Sequence, residues 1–259
     1  MSKSKPCKRR KEIVRLSARA LGNAILDRLL PRQCLTCGCG SGADNLCGPC
    51  AAEMPRLGHA CLQCALPLHH EADRICGRCL RRPPPWDEAA AALAYAFPVD
   101  HLVRRFKFSR SLSCGQVLAE ELARAIRMRD RPLPDCIVPV PLHRWRHFSR
   151  AYNQADFLAR RVGRILSLPV RGAIICRRRR TRAHSGLDAA ARKKNIRGAF
   201  RCRIPPGRRD DFSRVALLDD VMTTGATLAE CTRTLKKAGV HRVSVWVTAR
   251  ALEPGQVSP

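Results

Sequence analysis

Residues Val215–Thr227 read V-A-L-L-D-D-V-M-T-T-G-A-T. The apolar run Val215, Ala216, Leu217 and Leu218 predicts a short buried strand. Two carboxylates follow, Asp219 and Asp220, and then a turn of threonine and glycine. The turn opens into a helical stripe, Leu228, Cys231, Leu235 and Ala238, for which Gly239 is the expected stop. A strand, a glycine-containing turn and a helix start together make an anion site. The N–H groups of Thr224–Thr227, Gly225 and Ala226 included, can point at one phosphate, and the helix dipole favours its charge. Gly225 allows close backbone approach, and the hydroxyls of Thr223, Thr224 and Thr227 add donors. The acidic pair cannot hold a phosphate, but it suits the vicinal hydroxyls of a sugar, directly or through a magnesium ion. The stretch therefore predicts a 5-phosphosugar site. The plainer alternative is a strand–turn–helix joint with a solvated acidic pair.

Working outward, strands and helices alternate. Ala89–Phe97 predicts a strand, Val99–Phe108 a short helix, and Leu118, Leu122 and Ala125 a second helix that ends before Pro132. Asp135–Val140 predicts a buried strand, 154–166 a helix with Leu158, Val162, Ile165 and Leu166 on one face, Val170–Cys176 a strand, and Arg242–Thr248 the last strand. This alternation implies α/β architecture, a parallel sheet with flanking helices, and ligands at the carboxyl ends of its strands. Asp219 and Asp220 stand at such an end.

The region before it is different. Cys34-x-x-Cys37, Cys47-x-x-Cys50, Cys61-x-x-Cys64 and Cys76-x-x-Cys79 fall within 46 of the 259 residues, where composition alone would place about one such pair in the whole chain. Two thiolates two residues apart can share a metal, and two such pairs complete a tetrahedral site suited to zinc. Sequential pairing gives one zinc on Cys34, Cys37, Cys47 and Cys50 and a second on Cys61, Cys64, Cys76 and Cys79. Interleaved pairing and redox use of one pair are the alternatives, and the latter needs a surrounding βαβ pattern that this stretch lacks. So little apolar residue lies between the pairs that metal must supply most of the folding energy. Arg81-Arg82-Pro83-Pro84-Pro85 reads as a stiff linker. The expected organisation is a basic tail and short helix over 1–33, a double zinc ribbon over 34–82 and the α/β unit over 86–252.

Lys and Arg number 49 against 21 Asp and Glu, a net charge of +28. Residues 171–209 carry 14 basic residues against Asp188 alone. A field of this sign attracts polyanions, so single-stranded DNA is a candidate partner, with arginine-rich coding as the bland alternative. No apolar run is long enough to span a membrane and no secretory signal is evident, so a cytoplasmic chain with reduced or metal-bound cysteines is expected. Residues 13–30 are weakly amphipathic.

Two further stretches are dense in donors. Pro141–Gln154 reads P-L-H-R-W-R-H-F-S-R-A-Y-N-Q and follows a core strand; His143, Arg144, Arg146, His147, Arg150, Asn153 and Gln154 could together bind a pyrophosphate, with an ordinary basic surface loop as the plainer alternative. Arg177–Phe200 reads R-R-R-R-T-R-A-H-S-G-L-D-A-A-A-R-K-K-N-I-R-G-A-F, a long basic loop that could touch a nucleic-acid backbone.

The Val215–Thr227 stretch resembles the phosphoribosyl pyrophosphate (PRPP) motif of type I phosphoribosyltransferases. Those enzymes close a flexible loop over PRPP, so the resemblance implies a lid at Arg177–Phe200 instead. With the cysteine pairs, V-P-V-P (Val138–Pro141), R-x-Y-N-Q (Arg150–Gln154) and R-x-x-N-x-x-G-A-F (Arg192, Asn195, Gly198–Phe200), the chain resembles the ComF family, also called ComF/GntX, over about residues 24–250. Ala151 stands where that family usually has Gly, and Ala183-His184 where a Gln is usual. The resemblance implies a type I phosphoribosyltransferase fold preceded by a double zinc ribbon, with two structural zinc ions and PRPP held with magnesium. Asp219 and Asp220 would take ribose and magnesium as the catalytic pair. Thr223, Thr224, Gly225, Ala226 and Thr227 would take the 5′-phosphate, and Arg150, Asn153 and Arg192 would assist. It implies a link to natural competence and to the machinery of DNA uptake, with turnover and acceptor left open.

Overall fold

The computed structural model describes residues 32–42, 44–70, 72–142, 152–178, 196–204 and 212–252. The basic tail, the amphipathic segment 13–30, Arg150, Arg192 and most of the basic loop 177–200 lie outside the described residues.

The cysteine-rich part contains two units of similar plan. In the first, strands β1 (Arg32–Gln33) and β2 (Gly40–Gly42) pair antiparallel around the Cys34–Cys37 knuckle. Helix α1 (Gly48–Ala52) then starts on Cys47, its N-cap. In the second, the Cys61–Cys64 knuckle is closed by an antiparallel bridge between Ala60 and Pro67, and helix α2 (Gly77–Arg81) starts on Cys76. Each unit thus offers one thiol pair on a turn and one at a helix start.

The α/β part begins with β3 (Glu88–Ala94), α3 (Val99–Phe108) and α4 (Leu112–Arg127). Then come β4 (Cys136–Pro139), α5 (Gln154–Leu166), β5 (Ile175–Arg177) and β6 (Phe200–Cys202). It ends with β7 (Arg214–Met222), α6 (Ala226–Lys237) and β8 (Arg242–Arg250). Strands β3, β8, β7 and β4 form one sheet in that order, every pair parallel. The α/β expectation, a parallel sheet with flanking helices behind a cysteine-rich unit, is met.

Alternation along β7 explains the layering. Ala216 and Leu218 face a core shared with Leu102, Phe106, Leu118, Leu122, Leu158 and Val162 of α3, α4 and α5. Val215 and Leu217 face the opposite core, with Leu228, Cys231 and Leu235 of α6. A sheet covered on both faces needs continuous apolar strands, which is why residues 215–218 read as an unbroken run. Helices α5 and α6 leave neighbouring strands toward opposite faces. That opens a crevice at the carboxyl ends of β4 and β7, the position where such sheets take ligands.

One expected strand is corrected. Val170–Cys176 is not continuous: Val170 bridges to Ile137, Gly172–Ile174 is a 3-10 turn, and only Ile175–Arg177 is strand, paired antiparallel with β6 outside the main sheet. Gly172 sits tightly against Asp156 and Pro139, and the turn breaks the run.

The outer edge of β3 is covered by backbone from the cysteine-rich part. Leu57 N–H donates to the Ala92 carbonyl (2.9 Å), Ala94 N–H to Pro55 (2.8 Å) and Ala89 N–H to Leu62 (2.7 Å). Arg56 adds a bidentate pair to Glu121 of α4, at 2.9 and 2.7 Å.

Candidate functional site

Strand β7 delivers Asp219 and Asp220 to the mouth of the crevice. Their orientation is fixed by the chain itself: Asp219 Oδ1 accepts from Asp220 N–H at 2.9 Å, and Asp220 Oδ1 from Val221 N–H at 2.6 Å. From the neighbouring strand, Thr248 Oγ1 donates to the Asp220 carbonyl at 2.7 Å. The turn follows, and Gly225 is the N-cap of α6 with φ 72° and ψ 8°, the left-handed region that glycine enters without strain. The first turn of α6 carries no side-chain cap among the described residues, so its N–H groups remain for a ligand. Thr223 and Thr224 are exposed, Gly225 is buried, and Ala226 and Thr227 are partly buried.

These residues line a cavity of about 320 Å³, together with Tyr95, Lys107, Val140, Asn153, Gln154 and Arg177. Opposite the loop, Asn153 caps α5. Its Oδ1 accepts from Ala155 N–H (3.1 Å) and its Nδ2 donates to the Val140 carbonyl (3.2 Å), tying the helix start to the end of β4. The next residue, Gln154, is 2% exposed, and its Nε2 has no partner among the described residues.

Two cations face the acidic pair: Lys107, which the sequence did not single out, and Arg177, the first residue of the basic loop expected to meet a ligand. Lys107 Nζ, at the end of α3, lies 2.8 Å from Asp220 Oδ2. Arg177, at the end of β5, lines the same cavity and stacks over Phe200, 5.5 Å from its ring centre. Burial, and after it the charge of Asp220, pushes the Asp219 carboxyl up to about 7, while Lys107 and Arg177 pull the other way. In sequence Lys107 looks like one of several basic residues on an exposed helix face; only the packing of α3 beside β7 distinguishes it. The cavity can therefore offer uncapped N–H groups and hydroxyls to an anion, and carboxylates to hydroxyls or a divalent cation. Cations on the far wall would meet further negative charge.

The eight predicted thiols come together as two groups: Cys34, Cys37, Cys47 and Cys50, and Cys61, Cys64, Cys76 and Cys79, the sulfurs of each within 4.8 Å of one another. The pairing is sequential, and Cys39 belongs to neither group. Tetrahedral thiolates at about 2.3 Å from zinc stand about 3.8 Å apart. Cys37 and Cys47 are 3.7 Å apart, and Cys64 and Cys76 3.6 Å. The charge environment also suits a cation. Burial raises the Cys34 thiol, but N–H donors of Cys37, Cys47 and Thr36 outweigh it and bring it down to about 6. In the second group burial raises Cys76, yet the Cys79 N–H and the other thiols bring it to about 7. Burial and the neighbouring sulfurs push Cys79 far up, and burial lifts Cys64 to about 11. Four thiolates cannot coexist there without a metal to carry their charge.

The double zinc ribbon domain family matches residues 25–80. Competence protein F of Haemophilus influenzae (strain ATCC 51907 / DSM 11121 / KW20 / Rd) is 36% identical over 212 residues, 80% of this chain and 91% of that protein. The DNA utilization protein YhgH of Escherichia coli (strain K12) is 35% identical over 215 residues, 82% of this chain and 92% of that protein. Among solved structures, a glutamine PRPP amidotransferase from B. subtilis overlaps 52% of this chain and 26% of its own, at 18% identity and a TM-score of 0.33. A hypoxanthine phosphoribosyltransferase from Trypanosoma cruzi overlaps 54% of this chain and 75% of its own, at 16% identity and a TM-score of 0.29. Overlaps this slight carry no weight for fold or function. No helix among the described residues is long and apolar enough to cross a membrane.

Proposed function

The chain belongs to the competence protein F (ComF) family, and on that premise we propose that it binds a phosphoribosyl ligand, PRPP in the first instance, in the service of DNA uptake. The observation that carries this reading is a single cavity holding an uncapped helix start on one side and a backbone-oriented pair of carboxylates on the other. The 5′-phosphate takes the Thr223–Thr227 loop, where N–H groups and hydroxyls converge and the helix dipole adds to them. Asp219 and Asp220 take the ribose hydroxyls. Asp219 and Asp220 would also be the residues to hold a magnesium ion, which would supply positive charge toward a leaving pyrophosphate. The pyrophosphate faces Lys107, Arg177 and the buried amide of Gln154, with Arg150 and Arg192 as further donors from outside the described residues. Those cations would stabilise a departing pyrophosphate, which supports a phosphoribosyltransferase-type reaction.

The link to DNA rests on the relatives, whose names are competence protein F and DNA utilization protein, and on the net charge of +28. Single-stranded DNA is the partner this charge suits, with affinity that falls steeply as salt rises.

Calorimetric titration of the zinc-loaded chain with PRPP and magnesium tests the site. Saturable binding that is lost in Asp220→Ala supports it. Equal binding by wild type and variant rejects the site as drawn, and absence of binding by wild type rejects the ligand.

A further inference from the structure

The two four-thiol sites are built alike but attach to the α/β unit differently. The first packs on helices. Cys34, Leu46 and Met54 join the core of α3, α4 and α5, Asn45 donates to Gln116 at 3.3 Å, and Arg105 donates to the Leu35 carbonyl at 2.8 Å.

The second site reaches the phosphate loop through two buried side chains. The Gln63 carbonyl, inside the Cys61–Cys64 knuckle, accepts from the indole N–H of Trp86. The Cys64 carbonyl accepts from Arg250 Nε at 2.9 Å. Trp86 is 6% exposed and Arg250 4%. Each then ends beneath the loop. The tip of the Trp86 ring lies 2.8 Å from where a Cβ on Gly225 would stand. Arg250 Nη1 donates to the carbonyls of Met222 (2.9 Å) and Thr223 (2.7 Å). A guanidinium is a rigid planar fork, so one group fixes the distance between a metal knuckle and the peptide planes that open the loop.

We infer that the second four-thiol site, acting through Trp86 and Arg250, sets the geometry of the 222–227 loop, so that metal there and a 5′-phosphate in the cavity bind cooperatively while the first four-thiol site stays uncoupled. The ligand half rests on the phosphate reading of the cavity given above. Trp86 and Arg250 are positioning residues, since neither side chain needs to touch the ligand. Coupling of this kind is reciprocal: what metal does for phosphate, phosphate does for metal.

The test follows zinc release from the full chain to a chelator, with and without ribose 5-phosphate, together with hydrogen exchange over residues 222–228. In wild type the sugar phosphate slows one of two release phases by roughly tenfold, the scale of one or two hydrogen bonds. Cys76→Ser removes the protected phase and Cys37→Ser leaves it. Because a cysteine variant can fail to fold, Arg250→Lys and Trp86→Phe keep all eight thiols. Each should speed the second phase even without ligand, raise exchange over 222–228 and leave the first phase unmoved. Absence of sugar-phosphate binding by wild type would count against the reading of the cavity, while the ligand-free arm still decides the coupling. Unchanged release and unchanged loop exchange in Arg250→Lys overturn it, as does a ligand that slows both phases equally.

Discussion

Lys107 Nζ and Asp220 Oδ2 stand 2.8 Å apart, with only 21% and 13% of their side chains exposed. The pair joins the end of α3 to the carboxyl end of β7, and its ammonium lies where a ligand-bound cation would compete for the same carboxylate. Lys107→Met should leave Asp220 uncompensated beside Asp219. Binding of PRPP at low magnesium should weaken by about tenfold, the range of a charge-assisted hydrogen bond, and added magnesium should restore it. Titrations at two magnesium levels check this; a loss that magnesium does not repair would mean that the contact of Lys107 with the pyrophosphate, and not its pairing with Asp220, carries the effect.

Asp219 carries a pH signature. Its carboxyl titrates at about 7 in the folded chain, raised by burial and by Asp220, against about 3.9 in an unfolded chain. Between those values the folded state keeps a proton that the unfolded state has released, so this group's contribution to stability falls as pH rises from about 4 to about 7 and is level above. Asp219→Asn removes the effect. In magnesium-free buffer the variant should gain on wild type by roughly 2–3 kcal/mol between pH 5 and pH 8. Urea unfolding across that range gives the slope directly.

Gly225→Ala meets two obstacles at once. The backbone is at φ 72°, and the new methyl would stand 2.8 Å from the Trp86 ring. A loss of about 1–3 kcal/mol in unfolding free energy is expected, with a larger fractional loss of ligand affinity because the loop itself must shift. Thermal unfolding and ligand titration on the same sample separate the two.

Chelation should not merely loosen an appendage. Cys34, Leu46 and Met54 belong to the core of the α/β unit, and residues 55–62 bond to β3. Stripping both metals should lower the melting temperature of the whole chain by roughly 10 °C or more, as one transition. A calorimetric trace with an unmoved main peak and a lost minor one would contradict it.

The loop around Asp219 was legible because its elements are contiguous: an apolar run, two acids, a glycine and a helical stripe each carry a local signal. The four C-x-x-C pairs were legible for the same reason, but spacing left both sequential and interleaved pairing open, and only the folded thiol groups decide for the sequential one. Helices α3 and α5 occupy the ranges that the helical period of their apolar residues predicts, and the structure adds Asn153 as the cap of α5, which in sequence reads only as a ligand donor. What the sequence concealed lies between distant segments. Nothing local marks Lys107 as the partner of Asp220, or Arg250 as a brace rather than the last residue of a strand. The breakdown of Val170–Cys176 into a bridge, a turn and a short strand also escaped. That run is apolar enough for the sheet, but the close fit of Gly172 against Asp156 and Pro139 appears only once α5 is packed.

The cover over β3 has a consequence for how the molecule behaves in a crowded solution. Its partners, Pro55, Leu57 and Leu62, lie between the second and third cysteine pairs or within the third, so emptying the metal sites is expected to loosen them. A chain that has lost its metal uncovers Glu88–Ala94, an alanine-rich run with unpaired N–H and C=O groups, as an open template for strand pairing with other copies. Metal starvation would then show itself as self-association and loss of solubility, before any question of catalysis arose.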